Sequence, residues 1–174
     1  MFTSRFHLEA TLWLPLPRET VFDCFTDARN LELLTPPELS LEMMGDGPEP
    51  MRAGLIVDYR LRLLRLIPLR WRASIDVFEP PVRFVDRQLH GPYLEWTHEH
   101  SFQEHEGGTL CVDRVDFRSP GPAWIAGPIM RLQLGRTWAV RGRALRKLLE
   151  ISSDVDCPET FSLERCGRRP SNKG

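Results

Sequence analysis

The strongest constraint on how this chain folds is a change of period along it. Through the first two thirds, apolar residues recur at every second position in one segment after another; between residues 121 and 150 they recur every third or fourth. A period of two sends side chains alternately to the two faces of a strand, and a period near 3.6 gathers them on one stripe of a helix. The opening segment sets Phe2, Phe6, Leu8, Ala10, Leu12 and Leu14 on one face and Thr3, Arg5, His7, Glu9 and Thr11 on the other. That is a long strand with one dry side. "PRETVFDCF" then starts with Pro17 at a helix N-terminus and spaces Val21, Phe22 and Phe25 on one helical face. "DARNLELL" reads as a second short helix, capped by Asp27 and stopped by Pro36 and Pro37.

Strands follow in series. "LSLEMMG" is a short one, and "GLIVDYRLRLL" alternates Val57, Tyr59, Leu61 and Leu63 against charged residues. "LRWRASIDVF" alternates Trp71, Ala73, Ile75 and Val77 in the same way, and "VRFVDRQLH", "LEWTHEHSFQ" and "TLCVDRVDF" complete the set. Pro80-Pro81, Gly91-Pro92 and Gly107-Gly108 break the chain between them. Links this short imply an antiparallel meander rather than parallel crossovers. Residues 121–150 then form one long amphipathic helix whose stripe includes Met130, Leu134, Trp138, Leu145 and Leu149. Gly135 and Gly142 fall on or beside that stripe, where each costs about 1 kcal/mol of helix propensity. They imply either a close approach of helix and sheet or a notch that admits a bound molecule. After Glu150 the composition turns polar, so residues 151–174 read as a disordered tail, dispensable for folding, behind a single domain over 1–150.

The expected architecture is α+β: a curved antiparallel sheet of about seven strands, two short helices after strand 1, and a long C-terminal helix packed across the concave face. In this order, the phrases "NLELLTPPEL", "FVDRQLHGPYLEWTHEHSF" and "GGTLCVDRVDF" make the chain resemble the SRPBCC superfamily, the START/Bet v 1-like and polyketide cyclase/dehydrase-like group. The resemblance covers residues 1–150 and implies the helix-grip fold. Members of that group bind lipids, quinones, polyketides and hormones, and some catalyse cyclisation or dehydration. The resemblance therefore implies a hydrophobic or amphipathic small-molecule ligand, with a cyclase/dehydratase-type enzyme as the alternative. It does not fix the chemistry.

The residues that carry chemistry stand out against the strand pattern. In "LEWTHEHSFQ", Trp96, His98, His100 and Phe102 share one face, where a core strand asks for valine or isoleucine. Residues two apart on a strand are about 6.5–7 Å apart on one face, so both imidazoles reach a common ligand. "FVDRQLH" places Phe84, Asp86, Gln88 and His90 together, and "TLCVDRVDF" places Thr109, Cys111, Asp113, Val115 and Phe117 together. If those faces coincide, Asp86, Gln88, His98, His100 and Asp113 form a polar cluster among aromatics. Such groups are costly to bury unless paired. Three readings follow: a self-satisfied hydrogen-bond network, anchors for the polar end of an apolar ligand, or acid–base catalysis by His98 or His100 with Asp86 or Asp113. The cavity walls expected around them are Val57, Tyr59, Trp71, Phe84, Trp96 and Phe102 from the sheet, with Met130, Leu134 and Trp138 from the helix. His98, His100 and Glu104 also repeat the H-x-H-x3-E core of a cupin metal motif. No histidine follows His105 to complete that motif, so no metal and no cofactor are expected.

Other classes are excluded by what the chain lacks. Charge is balanced, with 23 Lys and Arg against 24 Asp and Glu, so nothing steers it to nucleic acid. The helix arginines Arg131, Arg143 and Arg146 read as a solvated face. Cys24, Cys111, Cys157 and Cys166 form no CxxC pair, and the N-terminus has no signal-peptide pattern, which points to the cytoplasm. No apolar run is long enough to span a membrane. The tip Leu64–Leu69 carries more apolar residues than a hairpin turn can bury, and implies packing against the helix or a dimer partner, a portal lip, or a transient membrane contact. Either a monomer or a homodimer is compatible with it.

Overall fold

The structure is a computed structural model, and it describes residues 2–45, 49–63 and 67–166. Strand β1 (Thr3–Leu14) leads into helices α1 (Arg18–Thr26) and α2 (Ala28–Leu33) and a 3-10 turn at Pro37–Leu39. Strands β2 (Glu42–Met43), β3 (Ile56–Leu63), β4 (Ile67–Glu79), β5 (Arg83–His90), β6 (Glu95–His105) and β7 (Gly108–Pro120) follow. Helix α3 (Ala123–Leu148) and strand β8 (Glu159–Arg165) close the chain. The strands make one antiparallel sheet in the order β2-β3-β4-β5-β6-β7-β1-β8. Helix α3 packs on β1 and β8. This is the helix-grip arrangement.

Local chemistry sets the boundaries. The Asp27 side chain accepts from the Arg29 N–H and caps α2. The β6–β7 hairpin turns through Glu106 and Gly107 at φ 47° and 75°, both left-handed, and of the two only Gly107 adopts that conformation without steric cost. Alternation decides which face is dry: along β1 every second residue from Ser4 to Leu14 is buried, and along β6 Trp96, His98, His100 and Phe102 are buried in turn.

One expectation is overturned. The chain after residue 150 is not an unstructured tail throughout, because Glu159–Arg165 pair with β1 from Phe6↔Arg165 to Leu12↔Glu159. Leu163 and Cys157 are buried, and the Trp13 amide donates to the Pro158 carbonyl. The sheet thus has eight strands rather than about seven, and the extra one covers the edge that β1 would otherwise expose. Residues 64–66 of the apolar tip lie outside the described residues, while Leu69 turns inward and lines the cavity described below. No helix of the described residues is long and apolar enough to cross a membrane.

Candidate functional site

A cavity of about 330 Å³ lies between the β3–β6 part of the sheet, the α1–α2 region and α3. Strands β3 and β4 contribute Val57, Tyr59 and Trp71, β5 contributes Phe84 and Asp86, and β6 contributes Trp96, His98 and His100. Helix α3 contributes Met130, Leu134 and Trp138. Every one of these was expected from strand parity or helical stripe. Trp71 and Trp96 meet edge to face with centroids 5.7 Å apart, and Tyr93 lies 4.6 Å from Trp96, so this end of the cavity is an aromatic wall.

Three expected residues sit elsewhere. Phe102 does not line the cavity; it is 1% exposed and fills the sheet's other end against Phe22 and Phe25, at 5.3 and 5.0 Å between centroids. Gln88 lies just past Arg87↔Thr97, the last pair of β5 with β6, and its amide donates to the Tyr93 carbonyl at 2.8 Å. Asp113 does not line the main cavity; it stands behind the histidines and lines a smaller neighbouring cavity of about 210 Å³ together with Gly135 and Gly142.

Register brings the polar cluster together. Asp86 pairs with His98 across β5–β6, and His100 pairs with Asp113 across β6–β7. The two imidazoles lie side by side, centroids 3.7 Å apart, between the two carboxylates. His98 Nε2 is 3.1 Å from Asp113 Oδ1, and His98 Nδ1 is 3.6 Å from Asp86 Oδ2. His100 Nε2 is 3.3 Å from Asp86 Oδ2. His100 Nδ1 is 2.6 Å from Asp113 Oδ1, close enough for strong attraction although poorly directed as a hydrogen bond. Trp138 Nε1 donates to the other Asp113 oxygen at 2.8 Å. Phe84 stacks on His100 at 4.2 Å.

These contacts pull the groups apart electrostatically. Burial pushes the His98 pKa down, and the neighbouring His100 adds to this against the pull of Asp113 and Asp86. Burial also opposes charge on His100, yet Asp113 and Asp86 together outweigh it and raise its pKa. Asp113 is buried too, but His100 and His98 hold its carboxyl well below the usual carboxylate range.

Sequence reasoning missed Phe25, Tyr93 and Arg141, which also line the cavity. Arg141 is the most consequential. It sits three residues after Trp138 on the same side of α3, with its guanidinium over the Trp138 ring at 5.0 Å. Its Nε and Nη1 are buried without a hydrogen-bond partner among the described residues, and Asp113 lies 3.8 Å from Nη1. The Trp96 N–H is likewise buried and unpaired there. The i, i+3 spacing from Trp138 was the available signal. Glu104 stands apart from the histidines, exposed and paired with Arg18 at 3.0 Å, so the cupin-like set does not assemble.

Comparison with known proteins bears on this geometry. The family described as polyketide cyclase/dehydrase and lipid transport matches residues 14–141. Among solved structures, the chain resembles the Zhui aromatase/cyclase from Streptomyces sp. R1128 at 18% identity, over 84% of this chain and 94% of that one, with a TM-score of 0.62. A START superfamily protein from Mycobacterium smegmatis is similar at 15% identity, over 83% and 97% of the two chains, with a TM-score of 0.59. A nucleoside-diphosphate sugar epimerase from Corynebacterium glutamicum is 27% identical over 86% of this chain but only 29% of its own, with a TM-score of 0.57. No curated protein sequence matches.

Proposed function

Starting from the fact that the chain belongs to the polyketide cyclase/dehydrase and lipid transport family, we propose that it binds an apolar or amphipathic small molecule of the lipid, quinone or polyketide kind in the cavity between sheet and α3. One observation carries this reading: a cavity of about 330 Å³, walled by aromatic and aliphatic side chains, ends in a buried polar floor with unpaired donors. A packed core leaves few voids, and buried donors without partners are rare. A ligand with an apolar body and an oxygen-bearing end answers both features. The apolar body would lie along Val57, Leu69, Trp71 and Met130, with its oxygens toward Arg141, His98 and His100.

The test is optical. Trp71, Trp96 and Trp138 line the cavity, so titrating long-chain fatty acids, quinones and aromatic polyketides should change tryptophan emission saturably. Native mass spectrometry of the protein from its own host should reveal a co-purifying molecule of one of these classes. Silence from every class in both measurements overturns the reading.

Acid–base catalysis of a cyclisation or dehydration is the second reading. It is favoured by the hydrogen bond between His98 Nε2 and Asp113 Oδ1, an imidazole–carboxylate pair in which the imidazole lines the cavity. A His98→Gln protein that still binds a polyketide but no longer converts it would establish this over simple carriage.

A further inference from the structure

The histidine–aspartate cluster offers more than hydrogen bonds to a ligand. His98 Nδ1 and His100 Nε2 both face Asp86 Oδ2, at 3.6 and 3.3 Å, and the three residues each offer a donor atom within 4.8 Å of the others. Four-coordinate zinc holds nitrogen and oxygen donors at about 2.0–2.2 Å, which separates neighbouring donors by about 3.3–3.5 Å. The two nitrogen–oxygen spacings, 3.6 and 3.3 Å, lie close to that separation. We propose that Asp86, His98 and His100 bind a single first-row divalent cation such as zinc, with the remaining coordination position open to the cavity.

The far side of each ring supports this. A metal-bound imidazole usually gives its other N–H to a carboxylate, which fixes the tautomer and strengthens the ligand. Here His98 Nε2 and His100 Nδ1 both face Asp113 Oδ1, at 3.1 and 2.6 Å. Asp113 is itself held by the Trp138 N–H at 2.8 Å. Two nitrogens thus turn to one buried carboxylate, and the other two turn to Asp86.

Protons alone satisfy this cluster poorly. With each neutral ring carrying its proton on the Asp113 side, where His98 makes a directed hydrogen bond and His100 a close but poorly directed contact, three acceptors face one another around the convergence point. One additional proton on His100 closes its contact to Asp86 but leaves the His98 Nδ1 lone pair facing the Asp86 carboxylate at 3.6 Å. Protonating both rings stacks two cations with centroids 3.7 Å apart. A divalent ion satisfies all three acceptors at once. Two imidazoles and a carboxylate are a donor set that suits zinc and its first-row neighbours. Asp86, His98 and His100 all line the main cavity, so an entering ion needs no opening of the core, and an oxygen atom of a cavity ligand, or water, completes the sphere.

The site stands whether or not the cavity carries a lipid or polyketide, and its test needs neither. Chelator-stripped full-length protein is titrated with cobalt(II). The expected result is one equivalent bound, with visible absorption bands of four- or five-coordinate cobalt that zinc abolishes by displacement. Asp86→Asn, a near-isosteric change, should weaken binding by more than about 100-fold, and Asp113→Asn by about 10–100-fold. Glu104→Gln and His7→Ala, both on exposed groups, should leave it unchanged. Nitrogen NMR of the imidazoles gives a readout independent of mutation: zinc should shift His98 Nδ1 and His100 Nε2 and leave the opposite nitrogens protonated. Absence of a stoichiometric cobalt spectrum, binding indifferent to Asp86→Asn, or zinc-insensitive histidine nitrogens would each overturn the proposal.

Discussion

His100 and Phe102 are successive inward positions on β6, and they belong to different worlds. Both are buried, at 7% and 1% exposure. Both touch Phe84 and Phe25. What separates them is what stands opposite. Over Phe102, α1 delivers Phe22 and Phe25, and the space is filled by ring-to-ring packing. Over His98 and His100 the cavity separates the sheet from α3, and beside the rings of Phe25, Phe84 and Trp138 the imidazoles meet two carboxylates, Asp86 and Asp113. Burial alone therefore does not divide core from site in this fold. The division lies in whether a helix fills the space above the strand, and whether the register supplies charge to pair with what is buried.

The largest effect expected from this contrast is in the filled end. Phe102→Ala removes a ring from a closed aromatic cluster and should cost about 3–5 kcal/mol of stability. In a domain of this size that lowers the melting temperature by roughly 6–20 °C. Ligand affinity should change by less than about threefold, because Phe102 does not line the cavity. Thermal denaturation and a fluorescence titration on the same variant check both halves. Lost affinity at unchanged stability would put Phe102 back in the cavity wall and dissolve the contrast.

A smaller effect of opposite kind is expected two turns of the pleat away. In His98→Leu, Asp113 keeps His100 and Trp138 as neighbours, so folding should survive. Binding of the cavity ligand should weaken by roughly 1–3 kcal/mol, the worth of a buried hydrogen bond left unmade. Calorimetric titration beside a denaturant curve separates the two quantities. A stability loss as large as that of Phe102→Ala with affinity intact would make the cluster a structural network.

Much of this was legible in the residues. Period alone placed the strands, the paired helices and α3, and parity alone placed Trp96, His98 and His100 on the inner face. Parity could not decide depth along a face, which is why Phe102 was read as wall and Gln88 as part of the cluster. Depth depends on where α1 ends and where β5 stops pairing with β6, after Arg87↔Thr97, and both are tertiary facts. Strand β8 was missed for a different reason. Only Phe161 and Leu163 mark its inner face, and an edge strand that is polar on every other side looks like a tail until β1 is there to receive it. Arg141 was hidden by its company: its i, i+3 spacing from Trp138 was the one local sign that it turns inward, and a helix rich in arginines on its exposed face drowned it out.

The smallest predicted effect concerns Gly135 and Gly142 of α3, which the sequence left between close packing and a notch for a ligand. The structure separates them. A Cβ at Gly142 would lie 2.6 Å from the Glu159 carboxylate, which pairs with Arg146 at 2.9 Å across the helix–β8 seam. A Cβ at Gly135 would meet only the Phe161 ring, at an ordinary 3.6 Å. Gly142→Ala should therefore come out near zero, the helix gain of about 1 kcal/mol offset by displacing a flexible side chain from a partly exposed ion pair. Gly135→Ala should stabilise by about 0.5–1 kcal/mol, because it fits without strain and restricts the unfolded chain. Both glycines border the smaller cavity rather than the larger one. Neither change should thus alter affinity for a ligand held by Trp71, Trp96 and His98. If both variants instead lost affinity together, the space beside Asp113 would be part of the binding site, and the line between filled and open regions would have to be drawn on the far side of α3's small residues.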